Sequence, residues 1–229
     1  MCSSIELTIL MPCLNEENTI GICIKKAMMF LKENGIDGEV LVADNGSTDN
    51  SKKVARELGA RVINVHKIGY GAALRCGNKA ARGKYVIMGD ADNTYDFYNL
   101  MPFLEKLRED NELVIGNRFM GGIDKGAMPF IHRYVGNPLL SWIGRKLYHT
   151  DIRDFHCGLR GYNLESIRKL HLHTCGMEFA SEMVVQAAKN DLRITQVPIR
   201  LKKDRGDRTS HLNTWADGWR HLKYLIRNR

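Results

Sequence analysis

Asp90, Asp92 and Asp96 follow directly on a short apolar run, Tyr85-Val86-Ile87-Met88. A run of that length and composition reads as a buried strand, so its acids arrive together at the strand's carboxyl end. In an open α/β sheet that edge is where ligands bind. Asp90 and Asp92 are two residues apart in a turn, close enough to share one hard divalent cation that also grips phosphate oxygens. An isolated Asp-x-Asp is equally an ordinary turn sequence. Its meaning depends on what neighbouring elements bring to the same edge.

Three other strand ends carry polar groups suited to a nucleotide. The first runs into Met11-Pro12-Cys13-Leu14-Asn15-Glu16-Glu17-Asn18, where Asn and Glu can hydrogen-bond a base or ribose, or simply cap the next helix. The second ends in Asp44-Asn45-Gly46-Ser47-Thr48-Asp49, with Asp44 placed to accept from a base N–H or a ribose hydroxyl. The third opens into Gly69-Tyr70-Gly71-Ala72-Ala73-Leu74, small residues starting a helix whose amides can face a diphosphate. This glycine pair lacks the third glycine and the distal acid of the dinucleotide fingerprint, which argues against an NAD enzyme.

The elements that must hold these residues alternate regularly. Strands are expected over 5–11, 39–43, 61–65, 85–88 and 113–115, with helices over 18–34, 50–58, 72–81 and 97–108. Such spacing implies right-handed βαβ crossovers and a mainly parallel sheet flanked by helices. After Gly116 the rhythm breaks into a long loop, a helix over 134–147, an extended stretch over 154–162, a helix over 177–188 and a strand over 193–199.

The motifs together resemble family 2 glycosyltransferases. P-x-L-N-E-E, D-N-G-S-T-D, G-Y-G-A-A-L-R-C-G-N-K-A-A-R-G-K and D-A-D follow the first four strands in that order. Gly116-Asn117-Arg118, the stretch Asp154-Phe155-His156-Cys157-Gly158-Leu159-Arg160-Gly161, and Val197-Pro198-Ile199 through Arg205-Gly206 are similar to that family's polyprenyl-phosphate sugar synthases, the dolichol-phosphate mannose and glucose type. The resemblance spans about residues 5–226. It implies a GT-A fold with a Rossmann-like nucleotide-sugar-binding half. It further implies Mg²⁺ or Mn²⁺ held by Asp90 and Asp92 on the donor diphosphate, with Asp92 the more direct ligand. Pro12, Asn15, Glu16, Asp44, Gly71 and Ala91 would line the nucleotide-sugar donor, Arg118 would lie near its phosphates or sugar, and Arg205 would close over the site. Asn45 and Tyr70 depart from the family pattern, which usually shows a second Asp and a basic residue there.

Elementary chemistry assigns further roles. Cleaving an anomeric carbon from a nucleoside diphosphate builds negative charge on the leaving group, which a cation at Asp92 and the Arg118 guanidinium would stabilise. An anionic neighbour for the sugar's developing positive charge is expected from Asp154 or Glu182. A phosphate monoester acceptor, with a second pKa near ~6, attacks without a protein base and needs alignment. Arg133, Arg160 and Arg205 are the candidates for that phosphate, because guanidinium binds it bidentately. A sugar-hydroxyl acceptor would instead need a base, for which Asp154 or Glu182 would serve.

Other features point to nothing catalytic. His171, His173 and Cys175 have no obvious fourth ligand for zinc, and Cys157 has no activating base. The six cysteines include no C-x-x-C pair, and reduced thiols are expected. No stretch approaches the ~18 apolar residues of a membrane span, and no basic-then-apolar leader precedes the first strand, so a cytosolic location is expected.

Of the net charge of +8, the segment from Arg193 onward carries +7, which suggests an anionic partner. Leu212, Trp215, Trp219, Leu222 and Ile226 form one apolar stripe beside basic residues, suited to a headgroup layer or to docking on the protein's own core. The organisation expected is a catalytic domain over 1–211 and a basic amphipathic helix over 212–229. The function expected is a metal-dependent inverting glycosyltransferase moving a hexose from a UDP- or GDP-sugar to a polyprenyl phosphate, peripheral at the cytosolic face of an anionic membrane. Transfer to a saccharide or other hydroxyl is the alternative. A nucleotidyltransferase and a nucleic-acid-binding module rank below both, the latter because the basic residues follow one helix and loop rather than a known reader motif.

Overall fold

The computed structural model describes residues 5–203 and 214–229, the side chains of 214–217 excepted. Seven strands form one sheet: β1 (Leu7–Cys13), β2 (Gly38–Asp44), β3 (Arg61–Asn64), β4 (Tyr85–Met88), β5 (Leu113–Asn117), β6 (Arg160–Asn163) and β7 (Ile194–Pro198). Their spatial order is β3-β2-β1-β4-β6-β5-β7. All neighbours pair in parallel except β6, which runs antiparallel to both β4 and β5. The helices are α1 (Ile20–Glu33), α2 (Ser51–Glu57), α3 (Tyr70–Ala80), α4 (Met101–Arg108), α5 (Arg118–Gly121), α6 (Asn137–Tyr148), α7 (Leu164–Lys169), α8 (Phe179–Lys189) and α9 (Thr214–Arg227). A π-helical turn, His132–Gly136, leads directly into α6.

The first half follows the expected rhythm because each strand is an apolar run covered on both faces. β1 and β4 are buried along nearly their whole length, and α1 buries Ile20, Cys23, Ile24, Ala27, Phe30 and Leu31 at helical spacing. Chain order places β2 and β3 on one side of β1, whereas the crossover through α3 carries β4 to the other side. The loops leaving β1 and β4 therefore diverge at their carboxyl ends, which opens a crevice there.

Two elements differ from expectation for identifiable reasons. The helix expected over 97–108 starts at Met101, because the Asp96 side chain accepts from the Tyr98 amide and from Asn99 Nδ2 and holds the preceding residues in a turn. The extended stretch expected over 154–162 is a strand only from Arg160. Arg160 is fully buried and donates to the carbonyls of Cys157, Ala180 and Phe155 at 2.8, 2.7 and 2.6 Å, so residues 155–157 fold back over its guanidinium.

The C-terminal helix docks with a different face from the stripe expected. On α9, His221, Tyr224 and Leu225 are buried, whereas Trp219 and Ile226 are 65% and 59% exposed. Leu212 lies outside the described residues, as does the Trp215 side chain. Tyr148 on α6 donates to the Leu225 carbonyl at 2.6 Å, and Gln186 on α8 donates to the Tyr224 hydroxyl at 3.2 Å. Position on the helix is thus selected by polar partners on α6 and α8 as well as by apolar spacing. Five cysteines, at 13, 23, 76, 157 and 175, are free, and burial pushes the Cys157 thiol up to about 12.

Arg160→Met is expected to lower unfolding stability by at least about 3 kcal/mol, because three inward carbonyls lose their donors. Arg160→Lys should restore little of it, since one ammonium cannot fork to three separated oxygens. Urea midpoints measured at constant slope check both.

Candidate active site

The loops after β1 and β2 are laced together at the mouth of the crevice. Cys13 and Asp44 are register partners, and the Asn45 amide donates to the Cys13 carbonyl at 2.8 Å. Asn15, at φ 57°, accepts from the Thr48 amide at 2.8 Å through Oδ1, and its own amide donates to Ser47 Oγ at 2.9 Å. The Glu16 amide donates to Ser51 Oγ at 2.8 Å, and the Glu16 carboxylate accepts from Thr19 Oγ1 at 3.0 Å. Pro12 is half-buried between them. Asn15 thus staples the two loops, an arrangement its sequence position alone does not reveal.

Asp44 is fixed from one side only. Its Oδ2 accepts from the amides of Gly46 and Ser47, both at 3.2 Å, and lies 3.5 Å from Lys52 Nζ. Its Oδ1 is buried and has no hydrogen-bond partner among the described residues. A buried carboxylate oxygen without a donor is costly, so this oxygen is matched to an external N–H or O–H. Asn45, where the family pattern usually has Asp, accepts from the Gly69 amide at 2.7 Å and donates to the Lys67 carbonyl at 2.8 Å. An amide can do both, and a carboxylate cannot.

The Asp90-Ala91-Asp92 turn lies across the crevice, at the end of β4. The Gly89 amide donates to the Leu10 carbonyl at 3.1 Å, and Cys23 Sγ reaches the Ala91 carbonyl at 3.4 Å, which ties the turn to β1 and α1. Asp92 Oδ1 accepts from the Thr94 amide at 3.0 Å and from its hydroxyl at 2.6 Å. Tyr70 hydrogen-bonds Asp90, and burial followed by that carboxylate's charge holds the phenol well above its usual range. Tyr70 therefore takes the place of a basic residue by orienting an acid. On the opposite flank, Gly158 lies so near that a Cβ would stand 2.5 Å from Asp90 Oδ2. Tyr95 fixes Gly158 by accepting its amide proton at 2.9 Å.

The described residues contain no cluster of three His, Cys, Asp or Glu side chains able to hold a metal. Two carboxylates in one turn suit Mg²⁺ or Mn²⁺, which bind through one or two carboxylates and leave positions for water and substrate phosphates. Asp90 and Asp92 are the residues that would hold such an ion.

The amino end of α3 is closed, contrary to the diphosphate role expected for Gly71. The Ala72 amide donates to the Cys175 carbonyl at 3.2 Å. At Gly69, with φ 135°, a Cβ would overlap the Cys175 carbonyl, and at Gly71 it would lie 2.7 Å from the Thr174 carbonyl. Both glycines admit the 173–175 segment, and Glu182 holds that segment down. This fully buried carboxylate accepts from the amides of His173 and Thr174, each at 2.9 Å, and from the Thr174 hydroxyl. Glu182 is consequently a loop anchor, and the sugar-facing or basic role expected of it is not available.

The arginines divide in the same way. Arg118 and Asp154 form a buried two-point ion pair, Nε and Nη2 each donating at 2.7 Å, with the Arg118 amide donating to the same carboxylate at 3.1 Å. Burial opposes the guanidinium's charge, but Asp154 outweighs it and holds Arg118 well above its usual range. Asp154 thus spends both oxygens on Arg118 and is not placed as a base. Arg160 is committed to three carbonyls, so the acceptor-phosphate role expected of it is also corrected. Arg133 is half-buried on the π-helical turn, over the Tyr134 ring at 5.4 Å. Arg205 lies outside the described residues.

One cluster went unnoticed in the sequence. Ser181 Oγ lies 2.9 Å from His221 Nδ1 and 3.3 Å from His156 Nε2, and the two imidazoles stand edge-on with centroids 4.4 Å apart. It connects α9, α8 and the loop that carries Asp154. Burial, then the charges of His221, Arg118, Arg160 and His132, hold His156 well below the usual imidazole range. No sequence signal could have found it, since its members lie 25 and 40 residues apart.

A sequence model for glycosyl transferase family 2 matches residues 8–171. The low-salt glycan biosynthesis hexosyltransferase Agl6 of Haloferax volcanii is 40% identical across 97% of this chain and 53% of its own length. The same organism's glycosyltransferase AglJ is 34% identical across 83% of this chain and 61% of its own, so the chain spans little more than half of these two relatives. A dolichyl-phosphate hexose transferase, also from Haloferax volcanii, is 28% identical across 93% of this chain and 89% of its own. Among solved structures, glucosyl-3-phosphoglycerate synthase from Mycobacterium tuberculosis, in complex with Mn²⁺, UDP and phosphoglyceric acid, matches with a TM-score of 0.75 at 22% identity, over 97% of this chain and 78% of that one. At that identity the likeness establishes a GT-A-like α/β fold.

Gly158→Ala should force the Asp90 carboxylate aside. Mn²⁺-dependent stabilisation by a nucleotide sugar should fall at least about tenfold in apparent affinity, while the metal-free melting temperature changes little. The His156 proton balance predicts a second effect. An unfolded His156 titrates near ~6.5, whereas the folded one stays neutral to lower pH. Its contribution to stability is present above that value and is lost as pH falls below it. Chemical-denaturation midpoints should decline between about pH 7 and about pH 5, and His156→Gln should flatten part of that decline.

Proposed function

Because the chain belongs to glycosyl transferase family 2, we propose that it is an inverting hexosyltransferase carrying a hexose from a UDP- or GDP-sugar to a polyprenyl phosphate. The observation that carries the reading is the buried, unpartnered Oδ1 of Asp44 at the carboxyl end of β2, on the same edge of the sheet as the Asp90-x-Asp92 turn that follows β4. A base or ribose donor at Asp44 and a diphosphate at the acids are the two ends of a nucleotide sugar. The strands from β3 to β4 would then be the Rossmann-like, nucleotide-binding half. A bound Mg²⁺ or Mn²⁺ would neutralise the charge gathering on the leaving diphosphate.

The chain's own residues account for the rest. Tyr70 and Gly158 hold Asp90, and Thr94 holds Asp92, so the acids are oriented before a donor arrives. The Arg118–Asp154 pair keeps a cation fixed at the carboxyl end of β5. An acceptor phosphate oxygen forms the new bond to the anomeric carbon as the bond to the diphosphate breaks, and the electron pair leaves with the nucleotide. Displacement from the opposite face inverts the anomeric centre.

Acceptor choice follows from the two carboxylates already committed. Asp154 and Glu182 were the sequence's candidates for a base, and both are occupied by hydrogen bonds. A phosphate monoester is largely ionised at neutral pH and needs no such base. The dolichyl-phosphate hexose transferase among the relatives supports the same acceptor class. Peripheral attachment at the cytosolic membrane face accompanies this reading, and no helix among the described residues is long and apolar enough to cross a membrane.

Thermal shifts with UDP- and GDP-hexoses should show Mn²⁺- or Mg²⁺-dependent stabilisation that Asp92→Ala abolishes. Equal donor stabilisation in the variant refutes the metal assignment. Labelled hexose should appear in the lipid fraction when polyprenyl phosphate is supplied, and label recovered only on saccharide acceptors would replace the acceptor proposed.

A further inference from the structure

Fourteen large apolar residues are conspicuously exposed among the described residues, and eight of them lie between Phe119 and Trp142. The concentration centres on the π-helical turn and α6. Ile131, Tyr134, Val135, Leu139 and Trp142 recur at helical spacing and form one outward face, each between 41% and 58% exposed. The opposite face is already used. Ser141 and Gly144 are buried, the Phe155 amide donates to Ser141 Oγ at 3.2 Å, and a Cβ on Gly144 would meet the Phe155 ring. A helix apolar on both sides, docked on one and bare on the other, is not the pattern of a water-facing surface helix.

Charge around this face is predominantly positive. Residues 125–150 contain Lys125, Arg133, Arg145 and Lys146, with His132 and His149, and no Asp or Glu. Arg133 stacks over Tyr134, whose ring lies 4.7 Å from that of Phe130. At the other end Trp142, Arg145, Lys146 and His149 rim one recess together with Thr150 and a single acid, Asp151, and Arg145 Nε is buried there without a hydrogen-bond partner among the described residues. Aromatic and aliphatic groups flanked by an excess of cations match an anionic bilayer surface, with chains below and phosphates at the rim. The face also begins near the catalytic crevice, since His132 is close enough for Arg118's charge to help lower its pKa after burial.

We propose that the outward face of residues 130–146 docks this protein on an anionic lipid bilayer, with Arg145 and Lys146 meeting headgroup phosphates. This places a membrane contact on the segment between β5 and β6, whereas the sequence offered the C-terminal helix either for a headgroup layer or for docking on the protein's own core. The inference rests on the proposed function for its purpose, because a lipid-borne acceptor would be met where this face touches the membrane.

Flotation with vesicles of phosphatidylcholine alone or mixed with phosphatidylglycerol tests the surface using the full chain. The wild type should bind the mixed vesicles. Leu139→Gln/Trp142→Gln should weaken that binding at least about tenfold. Arg145→Gln/Lys146→Gln should weaken it on mixed vesicles but not on phosphatidylcholine. Ile22→Gln/Met29→Gln, which alters exposed apolar residues on α1, should bind as wild type, and all variants should melt within a few degrees of it. No vesicle binding by the wild type, or equal binding by Leu139→Gln/Trp142→Gln, overturns the proposal. So does a wild-type dimer that this variant converts to monomer without any vesicle binding, which would assign the face to a second copy. Hexose transfer to polyprenyl phosphate dispersed in detergent should survive in Leu139→Gln/Trp142→Gln. Failure of that transfer in the wild type would sink the functional reading while leaving the vesicle result to stand separately.

Discussion

The strand order reverses at β1, and the rest of the molecule is arranged around that reversal. Parallel strands wind away from β1 through β2 and β3, and the long crossover through α3 returns to place β4 on the other flank. The loops after β1 and β4 cannot share one direction, so polar groups on both are presented to an open crevice rather than to each other. Asp44 on one wall and Asp90 with Asp92 on the other follow from this single topological fact. The stretch leading into the antiparallel β6 then brings Gly158 against Asp90, where Tyr95 from the segment after β4 accepts its amide proton.

Most buried charge in this protein serves as support. Arg160 and Glu182 are both fully buried, and each is surrounded by backbone groups of opposite polarity. Stripping such ions of water costs several kcal/mol, roughly, and is offset only where every donor or acceptor is met. Here they are met by the loops that bound the crevice. Arg160 curls residues 155–157, and Glu182 pins 173–174 against α3. The Arg118–Asp154 pair does the same for the turn leaving β5. The loops that bound the crevice are therefore held in place by buried ions that are themselves hydrogen-bonded within the protein.

The second half of the chain is where sequence reasoning was weakest. Periodicity found α6 and α8, but it did not anticipate that α6 would expose an apolar face. A stripe of Leu and Trp says that a surface is apolar, and it does not say which side the core already occupies. For α9, hydrogen bonds from Tyr148 and Gln186 rotate Tyr224 and Leu225 inward and leave Trp219 and Ile226 outside. Those partners lie 77 and 38 residues away in sequence, beyond the reach of any local pattern.

What the sequence determined by itself was the order of elements, the edge to which functional groups are delivered, and the family. Strand length, helical spacing and turn residues are local properties, and local properties are legible in a chain. Tertiary structure decided which polar residues remain available. Asp154 and Glu182 are carboxylates like Asp44, and nothing in their spacing separates the three. The difference is whether donors from distant segments reach them first. Gly71 carries the same lesson in backbone form, since its missing side chain admits a loop from about a hundred residues away in sequence, not a diphosphate.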